Sequence, residues 1–271
     1  MFTSLGVVQA QTAPPSPPEG PPPIADNSFL LEEAYNQEYG VVQHINTFSR
    51  FWQSRDLIYT FTQEWPFNPA PKAQLSYTVV GLRPSGSPDK SGGFGDLALN
   101  YRYQLVSNER WAFAPRVSLL LPTGDHKQGR GAGGVGIQFN MPVSVTAGPK
   151  LVTHWNAGAT FIPNAKNPLD HEAVVRGYNL GQSFVYLAHP RFNLMLETAF
   201  NSSEEVIAPN FTQRFNDVLI NPGFRWSHNL KNGTQIVPGF SVPVGVGPSA
   251  GEAGVFFYLS IEHPFGKKKG D

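Results

Sequence analysis

Between Gly134 and Ala147 the apolar residues occupy every second position. Val135, Ile137, Phe139, Met141, Val143 and Val145 fall on one face, and Gly136, Gln138, Asn140, Ser144 and Thr146 on the other. A repeat of two is the geometry of a β-strand, and over this length it describes a strand with a different solvent on each side. The pattern recurs through most of the chain, with connections that alternate between long and short. That combination points to a closed barrel in a membrane and away from a soluble sheet.

Composition narrows the choice further. Charged residues make up 15% of the 271 positions, below the roughly 25% usual in soluble domains. Twenty basic side chains balance twenty acidic ones, so net charge gives no reason to expect a nucleic-acid partner. The chain has no cysteine, which removes disulfides, thiolate metal sites and cysteine catalysis and is compatible with export. No apolar run reaches about 18 residues, so any membrane span must be made by strands.

Met1–Ala10 ends in Val8-Gln9-Ala10, a small-residue pattern like a signal-peptidase site, although the basic start and long apolar stretch of a full signal are missing. We read residues 1–10 as the remnant of a secretory signal. Residues 11–26, with seven prolines between Pro14 and Pro23, read as an extended linker without a core of its own. Residues 27–39 (NSFLLEEAYNQEY) read either as an extended periplasmic lead-in or as a short plug helix capped by Asn27 or Ser28. The barrel is expected over residues 40–265, followed by a polar tail, 266–271.

Twelve strands account for the alternation: Gly40–Trp52, Leu57–Trp65, Gln74–Leu82, Asp96–Leu105, Trp111–Leu121, Gly134–Ala147, Leu151–Phe161, Asn179–Ala188, Phe192–Asn201, Asp217–Trp226, Thr234–Gly245 and Val255–Phe265. The expected long connections are Arg83–Gly93, Thr123–Gly133, Ile162–Tyr178 and Asn201–Phe215. The short ones are Ser107–Arg110, Gly148–Lys150, His189–Arg191 and Ser227–Gly233. Long loops at one end and short turns at the other are the habit of outer-membrane barrels, an all-β, antiparallel up-and-down fold. Trp65, Tyr103, Trp111, Tyr186, Phe192, Trp226 and Phe265 gather at the expected periplasmic strand ends, where amphipathic rings form a girdle. Pro115, Pro142, Pro222, Pro238 and Pro243 fall inside these strands and are expected to mark bulges or strand ends near the rims.

Phe29–Ile45 (FLLEEAYNQEYGVVQHI), Gly93–Gln104 (GFGDLALNYRYQ), Ala114–Asp125 (APRVSLLLPTGD) and the strand closing in His263-Pro264-Phe265 together resemble the outer-membrane barrel family named for the meta-pathway of phenol degradation. A related group of that family exports functional-amyloid subunits. The resemblance spans about Phe29 to Phe265 and implies a twelve-stranded, transporter-like barrel. It names no cargo, and the tail beyond Phe265 departs from the terminal aromatic with which such barrels usually end.

Inward positions of the expected strands carry the candidate pore lining: Asp96, Asn100, Arg102, Arg116, Gln138, Asn140, His154, Asn156, Glu197, Asn221, Arg225 and Glu262. Charges in a narrow bore must be paired or hydrated. Two readings stay open: a constriction that selects solutes, or an interior knitted shut by salt bridges. Asp170-His171-Glu172 and Asp125-His126 carry metal-ligand side chains, but adjacent residues of one loop rarely converge on an ion, so a solvated loop is expected. Gly129–Gly136 lacks the Lys-Ser/Thr of a phosphate loop and opens a strand, not a helix. His154 and Asn156 lack a serine placed as a lipid-side hydrolase would need it.

The expected protein is therefore a non-enzymatic outer-membrane channel of a Gram-negative cell, passing small solutes, aromatic or hydrophobic ones among them. The alternatives are a plugged barrel serving structure or secretion with a periplasmic partner and, less favoured, an outer-membrane hydrolase. No cofactor is expected. The partners implied are the bilayer with its lipopolysaccharide, the outer-membrane assembly machinery and a small-molecule or polypeptide cargo, with oligomerisation left open.

Overall fold

The computed structural model describes Ile24 and residues 27–67, 72–84 and 92–265. The segments expected to be a signal remnant and a polar tail, and nearly all of the expected proline linker, lie outside the described residues. Twelve strands form one closed antiparallel barrel. They are β1 (Val41–Phe51), β2 (Leu57–Pro66), β3 (Ala73–Arg83), β4 (Gly93–Tyr103), β5 (Trp111–Phe113 and Arg116–Leu121) and β6 (Gly136–Asn140 and Val143–Gly148). The circuit continues through β7 (Leu151–Lys166), β8 (Glu172–His189), β9 (Phe192–Ala208), β10 (Phe211–Trp226), β11 (Gln235–Ser241 and Val244–Gly245) and β12 (Gly254–Pro264). Two-residue extensions, Val106–Ser107 and His228–Asn229, follow β4 and β10. The helical content of the described residues is two single 3-10 turns, His126–Gln128 and Gly247–Ser249.

Closure is made by β12 against β1, in register from Val41↔Pro264 to Phe51↔Gly254. Phe265 N–H then donates to Gly40 O at 2.7 Å, bringing the two ends of the barrel chain together at one rim. Full closure leaves no edge strand in the membrane, where an unpaired backbone group would cost several kcal/mol.

The burial pattern is that of a soluble protein turned inside out. Ile137 and Phe139 are exposed on β6, while Gly136 and Asn140 are buried and Gln138 lies half-buried between them. On β9, Leu194 and Leu196 are exposed while Asn193 and Glu197 are buried. The exposed apolar face is what lipid requires, and the buried polar face is the interior.

Strands β7 to β10 are 16 to 18 residues long, where about 9–11 suffice to cross a bilayer. This corrects the expectation of long loops over Ile162–Tyr178 and Asn201–Phe215. Those stretches continue the ladders, and the connections shrink to residues 167–171 and 209–210. Beyond the bilayer the outer face no longer has to be apolar, and Ile162, Ala165, Ala173 and Val206 are instead buried together, so backbone pairing persists while the apolar-out alternation that reveals it disappears. The outer half of β10 illustrates this, with Gln213 to Asp217 exposed on both faces.

The prolines meet the expectation in part. The ladder steps by one residue across Pro115, between Arg102↔Arg116 and Val106↔Phe113, and again between Ile162 and Ala165, a stretch that contains Pro163. Pro115, Pro142 and Pro243 interrupt assigned pairing, yet Phe113↔Val143 and Arg116↔Asn140 lie on one continuous register. Four of the five serve as acceptors. Tyr103 N–H donates to Pro115 O, Ala114 to Pro142 O, Val242 to Pro222 O and Gly254 to Pro243 O, at 3.0–3.3 Å. A missing donor costs one bond, while the intact carbonyl holds the neighbouring strand in place.

Candidate functional site: an occupied barrel interior

The interior is filled by the chain's own segment before β1. Residues 27–38 are extended and bent, without a helix, so the plug-helix alternative is corrected to an extended strap. Inside the barrel this strap has no strand beside it, yet its backbone groups are buried and need partners. Side chains of successive strands supply them. Leu30 N–H donates to the Glu197 carboxylate of β9 at 3.1 Å, Glu32 N–H to Asn156 Oδ1 of β7 at 3.1 Å, and Ala34 N–H to Ser144 Oγ of β6 at 2.8 Å. Asn36 N–H donates to Gln104 Oε1 at 3.0 Å and Gln37 N–H to Gln74 Oε1 of β3 at 2.7 Å. The donors at 30, 32, 34 and 36 repeat with a period of two, as in a strand, with wall side chains standing in for the missing ladder.

The carbonyls are held in the same way. Arg102, 3% exposed, donates to Glu33 O at 3.2 Å, Tyr35 O at 2.5 Å and Asn36 Oδ1 at 2.9 Å. Gln104 Nε2 reaches Ala34 O and Asn156 Nδ2 reaches Glu32 O, both at 2.7 Å, and Arg225 reaches Asn27 O at 2.6 Å. Arg116 pairs with Glu32 at 2.5 Å and also reaches Asn100 Oδ1 and Gln138 Oε1. Ser28 donates across to Ser183 Oγ of β8 at 2.7 Å.

Apolar contacts seat the two ends of the strap's first half. The Phe29 ring packs 5.6 Å from Phe256 and 5.5 Å from Tyr258, within a buried cluster of Ile24, Ile45, Val185, Met195 and Val237. It lies over Gly223 and Gly239, where a Cβ would meet the ring at 2.7 and 2.5 Å. Leu31 covers Gly181 of β8, and a Cβ there would collide with its side chain. These glycines are notches cut into the wall, and aliphatic or aromatic side chains of the strap fill them.

Of the sequence-derived candidates, Asn100, Arg102, Arg116, Gln138, Asn140, Asn156, Glu197, Asn221 and Arg225 join this network, either on the strap or one bond behind it. Asn221 Nδ2 holds Glu197 at 2.7 Å, and Asn140 Nδ2 holds Asn156 Oδ1 at 2.9 Å. His154 Nδ1 lies 2.7 Å from Ser144 Oγ. That serine also receives Ala34 N–H, and both side chains are buried, so the pair positions the strap. Asp96 lies apart, accepting Gly124 N–H at 2.9 Å and Ala132 N–H at 2.7 Å and pinning the connection before β6. Glu262 lines a cavity at the opposite end. Gln74, Gln104, Ser144 and Ser183 were missed by sequence reasoning. Their inward strand positions were legible, but no sequence signal said that a backbone lay opposite them.

Cavities lie on either side of the strap. One of about 480 Å³ is bordered by Leu30, Leu31, Arg116, Asn179, Ile162 and Leu219. A neighbour of about 350 Å³ reaches Thr47, Thr62, Glu64 and Tyr258. A third, of about 530 Å³, is bordered by Glu33, Tyr35, Asn36, Gln104, Gln235 and Glu262. Residues 27–32 face the first two and residues 33 and 35–38 the third, which shares no lining residue with the other two. The strap divides the interior.

Of the aromatic girdle candidates, Tyr103, Trp111, Tyr186, Trp226 and Phe265 are exposed on the outer wall, while Trp65 and Phe192 are partly covered. Phe192, Phe224 and Trp226 stack with centroids about 6 Å apart. In the outer connections, Asp170 accepts from His126 at 2.7 Å and from Lys127 at 3.1 Å. These bonds hold the Asp170 carboxyl below its usual range. No cluster of three or more metal-ligating side chains occurs among the described residues.

A closed twelve-stranded barrel, apolar outside and polar within, is a transmembrane barrel of the outer-membrane type. Its fold is similar to that of an outer membrane channel from Pseudomonas putida F1, with TM-score 0.66 and 12% identity over 86% of this chain and 98% of that one. It is also similar to the NanC porin, with TM-score 0.55 and 8% identity over 83% and 100% of the two chains, and to the KdgM porin, with TM-score 0.51 and 11% identity over 83% and 99%. No family model and no curated protein matches the chain.

Proposed function

We propose that this protein is a non-catalytic outer-membrane channel for small solutes whose conducting state is controlled by its own strap, residues 27–38. The observation that carries the reading is the way the strap is held. Its backbone is tied by single hydrogen bonds to side chains of many strands, and cavities large enough for small solutes lie on both sides. Hydrogen bonds exchangeable with water let such a segment leave without unmaking the barrel ladder. The cavity lining sets the solute class. Leu30, Leu31, Ile162, Val175 and Leu219 offer apolar contact beside Asn140, Asn156, Asn179 and Ser202, which suits a small molecule with an apolar or aromatic body and a polar edge.

The test is planar-bilayer recording of protein lacking residues 1–39. Frequent discrete conductance steps, rare in the full chain, are expected, and a barrel that folds but stays silent overturns the reading. The density of the strap network also favours a second reading, in which the barrel stays plugged and serves structure or secretion with a periplasmic partner. That reading requires a periplasmic protein that co-purifies with the full chain and is lost when Gln11–Asp26 is deleted.

A further inference from the structure

At the seam where the barrel closes, two histidines meet on the outer wall. His44 of β1 lies between the buried Gln43 and Ile45, so its side chain takes the outward face. On β12, Ser260 is fully buried and Glu262 lines an interior cavity, so His263 also faces outward. His44 pairs with Ile261, and His263 pairs with Val42. The two imidazoles are therefore diagonal neighbours across the first and last strands. Their Nε2 atoms are 3.1 Å apart and their ring centroids 5.2 Å apart, with an angle of 20° between the planes.

We propose that His44 and His263 form a binding site for a divalent ion of the imidazole-preferring class, Zn²⁺, Ni²⁺ or Cu²⁺, that staples the closing seam. A tetrahedral ion about 2.0–2.1 Å from each nitrogen needs the two about 3.3 Å apart, so the observed separation is a few tenths of an ångström from a chelate. Both rings must carry their proton on Nδ1 to bind, and the Nδ1 of His263 faces Pro264 O at 3.4 Å, the kind of carbonyl that holds a ligand histidine in that tautomer.

The surroundings hold the ligands and admit water. Phe61 stacks on His44 at 6.1 Å. Gln63, directly opposite His44, is anchored by the Tyr77 hydroxyl at 2.8 Å. The site lies two to four residues from Gly40, at the rim that carries Trp65 and Phe265, where headgroups and water supply the remaining ligands. Imidazole donors without carboxylates select against Mg²⁺ and Ca²⁺.

The experiment is calorimetric titration of ZnCl₂ or NiCl₂ into the full chain folded in detergent micelles. One ion per chain is expected, with no binding of Mg²⁺. His44→Asn and His263→Asn, each still heat-modifiable on a gel, should weaken binding at least about tenfold, and His126→Asn should leave it unchanged. Substoichiometric Cu²⁺ on the unaltered protein should give an electron paramagnetic resonance spectrum with two equivalent nitrogens, which tests the site even if a variant fails to fold. At a hundredfold excess over Kd, Zn²⁺ should raise the unfolding temperature by about 5–10 °C, an effect absent in His263→Asn. Binding that survives both seam substitutions, is lost with His126, or shows fewer than two copper-bound nitrogens overturns the proposal.

Discussion

A pair of cysteines at positions 28 and 183 tests the seating of the strap directly. Ser28 and Ser183 place their Oγ atoms 2.7 Å apart and are both buried. That closeness suits a disulfide, whose Cβ atoms sit about 3.5–4.5 Å apart. The chain has no other cysteine, so the Ser28→Cys/Ser183→Cys protein has one possible intramolecular bond and no background. The bond closes a loop with a sequence separation of 155 residues, which the chain-entropy relation converts to about 5 kcal/mol taken from the unfolded state. For a chain of this size that corresponds to a rise of about 10–20 °C in the unfolding temperature of the oxidised form over the reduced form. The assay is the temperature at which the compact gel band converts to the unfolded one, with and without reductant, paired with bilayer recording. Oxidation should hold the barrel silent, and reduction should restore the conductance of the unaltered chain. Thiols that remain titratable under oxidant would show that the strap does not lie against β8. An oxidised protein that conducts like the reduced one would refute its role as the barrier.

Three further outcomes follow from the same geometry. Arginine at Phe139, exposed on the outer face of β6, should cost about 2–4 kcal/mol if near the bilayer midplane, whereas arginine at the adjacent Gln138, which already bonds Arg116 and Thr160, should cost less; urea unfolding in lipid vesicles measures the difference. Gly181→Leu fills the notch under Leu31, so it should unseat the strap and raise open-channel frequency in bilayers while heat-modifiable folding is retained. The Asp170 contact with His126 and Lys127 follows a sign that can be worked out. Its folded-state pKa is lowered, so its contribution is present above the ordinary carboxylate range and lost as pH falls through the lower folded value. Protection from hydrogen exchange in Thr123–Gly134, taken relative to the intrinsic rate at each pH, should therefore hold down to the ordinary carboxylate value of about 4 and fall below it, and Asp170→Asn should show the weaker protection at every pH.

How far the sequence could be read depends on where each residue's partners lie. Strands β1 to β6 could be placed within a few residues, because lipid on one side and a polar interior on the other impose alternation position by position. The same rule failed for Ile162–Tyr178 and Asn201–Phe215, where the outer face no longer meets lipid and Ile162, Ala165, Ala173 and Val206 are buried together, so the pattern is lost while the backbone still pairs. Arg102, Arg116 and Glu197 could be assigned inward from period alone. What they hold could not, since their partners on the strap lie 66 to 167 positions away along the chain.

The sequence by itself determined that this chain crosses a membrane as strands, with which faces outward, and that it carries no thiol chemistry. Alternation is a local property, set by the two-residue period of a strand, and needs no knowledge of the fold. The tertiary structure alone decided that the interior is occupied and that His44 meets His263. Both depend on closure. Bringing β12 against β1 makes neighbours of residues 219 positions apart, and it encloses a space in which Asn27–Gln37 must borrow hydrogen bonds from the wall because no strand lies beside it.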